Sequence, residues 1–329
     1  MNESLHQKCE LLAENYTLIA KDFKWDLDIM CIVAALSYTN SHRKADTAGM
    51  KACREILAKK EGIFSDLRST TELALLSKMA VDNNPEAYLD EVTGVYKKIT
   101  KGKIFTSSFM VLSALIICDQ HKVGQADDII KKTKTILKKM EKKHPILTGN
   151  EDIPMATIMA LHSEDDDKMI EEMEECFDIL KRKFPFHKDS VQGLCQVLSL
   201  SGKGSEDKCQ KIADIYDELK KKGIKYGKST ELAALGALVD VNMEPAAIAS
   251  AISECSDFLK KHKGFGNLTL GKEYRAMFAT MLVAEEYAPK GSAGGSGTIA
   301  DSIAITIAEE IVMLIIITTC MAAYSANSN

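Results

Sequence analysis

The chain has 329 residues and a formal net charge of −5; 46% of its residues are hydrophobic and 27% are charged, as in soluble globular proteins. Only 6% are aromatic, with a single tryptophan, which favours helices packed through aliphatic side chains. The slightly acidic balance argues against nucleic acid as a partner, because nucleic-acid-binding surfaces are usually strongly basic.

Along the chain, a leading helix is predicted over residues 2–21, and a helical hairpin over 24–38 and 43–60. One order then repeats, in which an apolar first helix precedes a strongly charged, amphipathic second helix. The first helices are predicted over 69–81, 106–119, 151–162, 190–200, 229–241 and 271–287. The second helices are predicted over 85–99, 125–142, 166–182, 206–221 and 245–261.

The repeat has a period of about 40 residues. Turn-forming residues follow the Lys-rich helix ends at gaps of 38 to 43 residues, and a large apolar residue closely follows each: Gly62, Gly102, Pro145, Pro185, Gly223 and Gly264. Apolar residues of the second helices align in the same period: Leu57, Ile99, Met140, Leu180, Leu219 and Leu259, and one turn earlier Cys53, Val95, Ile136, Cys176, Ile215 and Cys255. We therefore predict an all-α fold of about six stacked helical hairpins, arranged as an open α/α solenoid or a closed α/α array.

Four segments are predicted. Residues 1–23 form an N-terminal helix, 24–287 a helical-repeat domain, 288–297 a flexible Gly/Ser-rich linker, and 298–329 an apolar C-terminal tail segment.

The tail contains an apolar block over 311–324, which as a helix spans about 21 Å and falls short of a bilayer core of about 30 Å. Glu309 and Glu310 precede the block, and carboxylates are costly in lipid. A spanning helix is therefore not expected. We predict that the tail folds back to cap the repeats, and contact with a partner or with a membrane surface stays an alternative. The candidate tail contacts are Ile311, Leu314, Ile315 and Ile317.

These features resemble a known family. The turns Gly62-Ile63-Phe64 and Gly102-Lys103-Ile104-Phe105 follow Lys-rich helix ends, and Thr-Glu-Leu-Ala begins helices at Thr71 and Thr230. Together with the small-residue linker before an apolar tail, they are similar to a bacterial family known as domain of unknown function 4003. The resemblance covers nearly the whole chain. It implies a bacterial cytosolic setting, and it implies no activity, cofactor or catalytic residue.

Basic residues cluster near the ends of the second helices, where positive charge complements the helix dipole. One interpretation is a set of solvated helix ends. The other is that stacking aligns the clusters into a basic rim that binds an acidic partner or an anionic membrane surface. The candidate rim consists of Lys97, Lys98, Lys138, Lys139, Lys142, Lys143, Lys181, Arg182, Lys183, Lys220, Lys221, Lys222, Lys260 and Lys261.

Motifs for cofactor or metal chemistry are not expected. The stretch 223–230 has three residues between its glycines and follows a helix, whereas a phosphate-binding loop needs four and follows a strand. The acidic run 164–167 begins a predicted helix, where negative charge is favourable without a metal. Nine cysteines without a Cys-x-x-Cys pair, and a polar start, indicate free thiols in a reducing cytosol.

Three functions remain from this reasoning. The leading hypothesis is a non-enzymatic, cytoplasmic helical-repeat binding or scaffold protein with a protein partner or self-association. The second is an α/α-barrel-type enzyme with a central pocket, near Glu72, Glu231, Glu273 and Tyr274. The third is a peripheral membrane protein held by the tail and the basic rim, since two weak signals together can anchor a protein.

Overall fold

The computed structural model describes residues 1–292, 294–295 and 300–313, and within these ranges the chain is all-α, without a strand. The helices of the first half are α1 (Glu3–Asp22), α2 (Asp28–Asn40), α3 (Thr47–Lys60), α4 (Glu72–Val81), α5 (Pro85–Thr100), α6 (Ser108–Asp119) and α7 (Ala126–Lys143). Those of the second half are α8 (Ile153–His162), α9 (Asp166–Lys183), α10 (Lys188–Leu198), α11 (Ser205–Lys221), a 3₁₀ helix (Thr230–Leu238), α12 (Pro245–Leu259), α13 (Lys272–Tyr287) and α14 (300–313).

The helices fall into two kinds that alternate along the chain. The inner helices are buried almost all round; in α6 every residue from Ser108 to Cys118 is buried. The outer helices bury one stripe only, which in α7 includes Ile129, Ile136 and Met140. The inner helices are α2, α4, α6, α8, α10, the 3₁₀ helix and α13, and the outer helices are α1, α3, α5, α7, α9, α11 and α12. This pattern predicts a core between two layers of helices.

The structure confirms the all-α prediction, and each predicted helix begins and ends within four residues of an observed one. Both aligned columns of the outer helices are buried throughout, with Leu57, Leu219 and Leu259 fully so. One element differs, since 229–241 contains a 3₁₀ helix where an α-helix was predicted. Its Gly236 lies where a Cβ would come within 2.7 Å of Val197, so this segment approaches α10 more closely than a helix with side chains there allows.

Neighbouring outer helices run in the same direction. Lys132, in the first half of α7, lies 3.4 Å from Asp166 at the start of α9, and His144, at the end of α7, lies 2.9 Å from Glu174 in the middle of α9. Helix α1, near the N-terminus, packs on α12 and α13. At that contact the Sγ atoms of Cys9 and Cys255 are 3.0 Å apart.

Helix α14 lies among the inner helices and is buried on all sides over residues 300–309. Its first turn faces the ends of α2 and α4, where Asn40 donates a hydrogen bond of 2.7 Å to Asp301. Its last turns face the beginnings of the inner helices, where Thr70 donates to Glu309 at 2.5 Å. Helix α14 therefore runs antiparallel to the inner helices through the middle of the array.

A buried cluster of charges joins α14 to two inner helices. Lys78, at the end of α4, lies 2.9 Å from Asp301 and 3.2 Å from Asp119 at the end of α6. Tyr88 donates a hydrogen bond of 2.6 Å to Asp119. Burial opposes the charged form of Lys78, but Asp119 and Asp301 outweigh it and raise the pKa of its ammonium. Lys78 therefore stays charged and is paired on both sides.

Candidate functional site

Seven turns connect the end of an outer helix to the beginning of the next inner helix. Because the outer helices run in one direction, these turns gather at one end of the array, which we call the turn face. It comprises residues 21–26, 59–68, 97–107, 138–152, 181–190, 220–230 and 260–273.

Charge is distributed unevenly between the turn face and the rest of the molecule. The seven segments hold 26 of the 42 Lys and Arg residues but only 9 of the 47 Asp and Glu residues. The remainder of the chain holds 16 basic and 38 acidic residues, although the whole chain has a net charge of only −5. Many of those acidic residues lie in the first turns of outer helices, such as Asp127 in α7 and Glu206 in α11. The turn face is therefore strongly basic, whereas the remainder of the chain is acidic.

Five of the fourteen predicted rim residues form ion pairs. Lys98, Lys139 and Lys183 each reach the next outer helix, at 2.8 Å from Asp127, 2.7 Å from Asp167 and 2.5 Å from Asp217. Lys181 and Lys221 pair with Asp178 and Glu218 of their own helices. Exposed pairs of this kind contribute about 0–1 kcal/mol each, so they orient side chains more than they stabilise the fold.

The other nine rim residues are exposed, and none of them forms an ion pair with another described residue: Lys97, Lys138, Lys142, Lys143, Arg182, Lys220, Lys222, Lys260 and Lys261. They lie at the ends of α5, α7, α9, α11 and α12, and so occur around much of the turn face. Further exposed lysines that the sequence analysis did not select lie in the turns themselves, including Lys101, Lys188 and Lys228.

Large apolar side chains project from the same turns. Eleven such side chains are exposed among the described residues, and nine belong to the turn face or adjoin it: Trp25, Leu27, Ile63, Phe64, Ile104, Phe105, Ile146, Phe186 and Leu268. Phe64 and Phe186 are 95% and 96% exposed. Single exposed apolar residues are ordinary, but here nine of the eleven are concentrated at one end. We call these nine side chains the apolar tips.

A large cavity opens on the turn face. It has a volume of about 1280 Å³ and lies between the turns that follow α7, α9 and α11. Its wall combines apolar tips with cations: Lys143, Ile146, Lys181, Phe186, Lys188 and Lys228. At its side, His144 lies 2.9 Å from Glu174 and against the ring of Phe177. The chemistry of this cavity suits an anionic group attached to an apolar one.

The apolar tips are not among the predicted site residues, although the sequence carries a signal for them. A large apolar residue closely follows each turn-forming residue, and nothing in that pattern assigns it to a site. Their exposure follows from backbone position: Phe184 caps α9 and is buried, whereas Phe186, two residues later, has a positive φ of 72° and points to solvent. A sequence pattern alone does not separate two such phenylalanines.

Of the four predicted tail contacts, one belongs to the described residues and three do not. Ile311 is buried within the array, at 1% exposure, whereas Leu314, Ile315 and Ile317 lie outside the described residues. Burial raises the pKa of Glu309 and of Glu310, and Asp152 and Asp189, next to the starts of inner helices, reinforce the shift at Glu310. The described part of helix α14 therefore reaches the side of the turn face.

Among the helices within the described ranges, none combines the length and the hydropathy that crossing a bilayer requires. In the same ranges, no group of three or more His, Cys, Asp or Glu side chains is arranged to hold a metal ion.

A comparison of the chain with curated proteins and with solved structures gives no match. A family model matches residues 15–319, a range that begins in α1 and extends past the described part of α14. This match confirms the resemblance that the turns and helix starts carry. It assigns no activity, because the family is described only by its unknown function. The chain belongs to the family described as "Protein of unknown function (DUF4003)".

Proposed function

We propose that this protein is a non-enzymatic binding protein whose working surface is the turn face. Its helical hairpins, with a period of about 40 residues, are proposed to form a closed α/α array. The observation that carries the proposal is the burial of α14 among the inner helices. It fills the middle of the array with the protein's own chain and leaves the two ends and the outer wall for contact with other molecules.

Contacts between the first and last helices support a closed array over an open solenoid. Helix α1 takes the place of an outer helix between α12 and α3, and it packs on both. The rings of His6 and Phe258 make an edge-to-face contact on one side of it, with ring centroids 4.8 Å apart. An open solenoid would leave one face of each terminal helix without a neighbour, and such faces need capping.

The contents of the centre argue against an α/α-barrel-type enzyme. A central pocket of that kind is lined by the inner helices, and here α14 packs against them with Ile303, Ala304 and Ile307. Two of the carboxylates named for this alternative also form ion pairs with basic side chains. Glu72 lies 2.6 Å from Arg54, and Glu273 lies 3.1 Å from Lys225.

The turn face is the surface that best fits a binding role, because it combines exposed cations, the apolar tips and a large cavity. Removal of exposed aromatic and aliphatic side chains from water is favourable, so a partner that covers them gains binding free energy. The opposite end of the array offers mainly acidic first turns of helices, so it lacks this combination.

The proposal is tested by photo-crosslinking in the cells that make the protein. A photoreactive amino acid replaces Phe64, Phe105 or Phe186 in separate full-length variants. Matched controls carry it at Asn83 and Gln125, which are exposed at the opposite end. We expect adducts with other macromolecules, protein or lipid, at the three phenylalanine positions and background labelling at the controls. Background labelling at all positions, or equal labelling at both ends, would overturn the proposal.

A further inference from the structure

We propose that the partner of the turn face is an anionic lipid bilayer, which the protein contacts as a peripheral protein with the apolar tips at the membrane interface. This inference rests on the proposed function and names its partner. It differs from anchoring by the tail alone, because the described part of the tail is buried inside the array and the contacts come from the turns.

The distribution of the apolar tips favours a flat and extended partner. They project from different turns at one end of the array, from Trp25 in the first to Leu268 in the last. A peptide or a small ligand fills one groove and leaves most of these tips in water. A bilayer surface meets all of them at once. Trp25, Phe64, Phe105 and Phe186 are aromatic, and such rings combine a large apolar area with a preference for interfaces.

The charges of the same end fit a negatively charged surface. Nine rim residues are exposed and free of ion pairs with described residues, and Lys101, Lys188 and Lys228 lie in the turns beside the tips. Basic residues close to an anionic leaflet are attracted to it, and the attraction falls off within a Debye length. The remainder of the chain, with 38 acidic and 16 basic residues, is repelled by the same leaflet. The protein would therefore approach with the turn face forward, and salt would weaken the contact.

The experiment is flotation of the full-length protein with vesicles. The vesicles contain phosphatidylglycerol and phosphatidylcholine in equal parts, at low and at high salt, or phosphatidylcholine alone.

An apolar variant combines Phe64→Ser, Phe105→Ser and Phe186→Ser, and its matched control is Ile179→Ser on the exposed side of α9. A charge variant combines Lys101→Glu and Lys222→Glu, with Lys122→Glu and Lys131→Glu as the matched control away from the turn face. A shortened chain that ends at Met313 separates the tail from the turns. All these positions are exposed, so circular dichroism and the melting temperature should stay those of the wild type.

We expect the wild type to bind the anionic vesicles, to lose most of that binding at high salt, and to bind phosphatidylcholine far more weakly. The apolar and charge variants should each bind at least about tenfold more weakly, while both controls keep wild-type binding. The shortened chain should keep binding that the turn-face substitutions reduce.

The inference is overturned if the wild type stays with the soluble fraction, if the controls lose as much binding as the turn-face variants, or if only removal of 314–329 abolishes binding. Failure here, together with crosslinks from the phenylalanine positions to a protein, leaves the turn face as a binding surface with a protein partner. Failure in both experiments removes the proposed function as well.

Discussion

Lys78 and Asp301 are 223 positions apart in the chain, and their charged atoms lie 2.9 Å apart inside the protein. The pair joins the end of α4 to the first turn of α14, and Asp119 completes it on the other side of the ammonium at 3.2 Å. Side-chain exposures of 11% for Lys78 and 5% for Asp301 mean that little water screens the interaction. The pair fixes where α14 enters the array.

Replacement of Lys78 by methionine is expected to destabilise the protein strongly. The change leaves Asp119 and Asp301 buried, close together and without their shared cation. Removal of one partner from a buried pair costs about 3–5 kcal/mol. Urea unfolding followed by circular dichroism measures the difference, with Lys122→Met as an exposed control. A free energy of unfolding equal to that of the control would contradict the structural role of this pair.

Shortening of a central side chain should reveal how well α14 is packed. Ile307 is 2% exposed, and Ile307→Ala removes methylene and methyl groups from the middle of the array. The expected loss of stability is about 2–5 kcal/mol, whereas Ile63→Ala, at an apolar tip, should change it by no more than about 0.5 kcal/mol. The same urea titration compares them. Equal effects of the two substitutions would mean that α14 does not lie in the core.

The buried carboxyl group of Glu285, on α13, should make the stability of the folded protein depend on pH. Burial raises the pKa of Glu285 to about 7; Lys8 opposes the shift, and Asp301 and Glu286 reinforce it. Because the folded-state pKa lies above the unfolded value, the favourable contribution is complete below the unfolded pKa and is lost as the pH rises through about 7. Glu285→Gln should therefore raise the melting temperature by about 2–4 °C near pH 8 and have little effect near pH 4.

The control for this pH dependence is Glu86→Gln, since Glu86 is exposed at the start of α5. Differential scanning calorimetry at the two pH values provides the measurement. A gain from Glu285→Gln that is the same at both pH values, or larger in acid, would show that burial does not govern this carboxyl group.

The thiols of Cys9 and Cys255 are placed for oxidative crosslinking between α1 and α12. Their Sγ atoms are 3.0 Å apart, so a small approach brings them to disulfide distance. Diamide should take the two hydrogen atoms of the thiols and leave one disulfide, which joins the two ends of the array. The bond should stabilise the protein by about 2–4 kcal/mol and appear as a Cys9–Cys255 peptide by mass spectrometry. The Cys255→Ser variant should gain neither, and a disulfide to a different cysteine would contradict the contact.

Much of the fold follows from local sequence. Helix positions are visible because apolar residues recur at spacings of three and four, and the buried columns through Leu57 and Cys53 follow from the same period. The positions of the apolar tips follow from the sequence, since the pattern places a large side chain after each turn. Their exposure does not, because the pattern does not distinguish buried Phe265 from exposed Leu268.

The position of α14 could not be predicted from the local sequence, for a physical reason. Its location depends on contacts between residues far apart in the chain, such as Asn40 with Asp301 and Thr70 with Glu309. Nothing in the local pattern of 300–313 identifies those partners. The tail is predicted to fold back as a cap on the last repeat, whereas residues 300–313 lie among the inner helices, in the middle of the array.

The most direct test of the account is hydrogen–deuterium exchange of the full-length protein with and without vesicles that contain phosphatidylglycerol. The account predicts slow exchange for 300–313 in both states, because α14 stays in the centre. It also predicts added protection in the turn segments, most clearly at 59–68, 97–107 and 181–190, with no change at the starts of α5, α7 and α9. Unchanged turn segments alongside new protection at those helix starts, or fast exchange throughout 300–313, would contradict it.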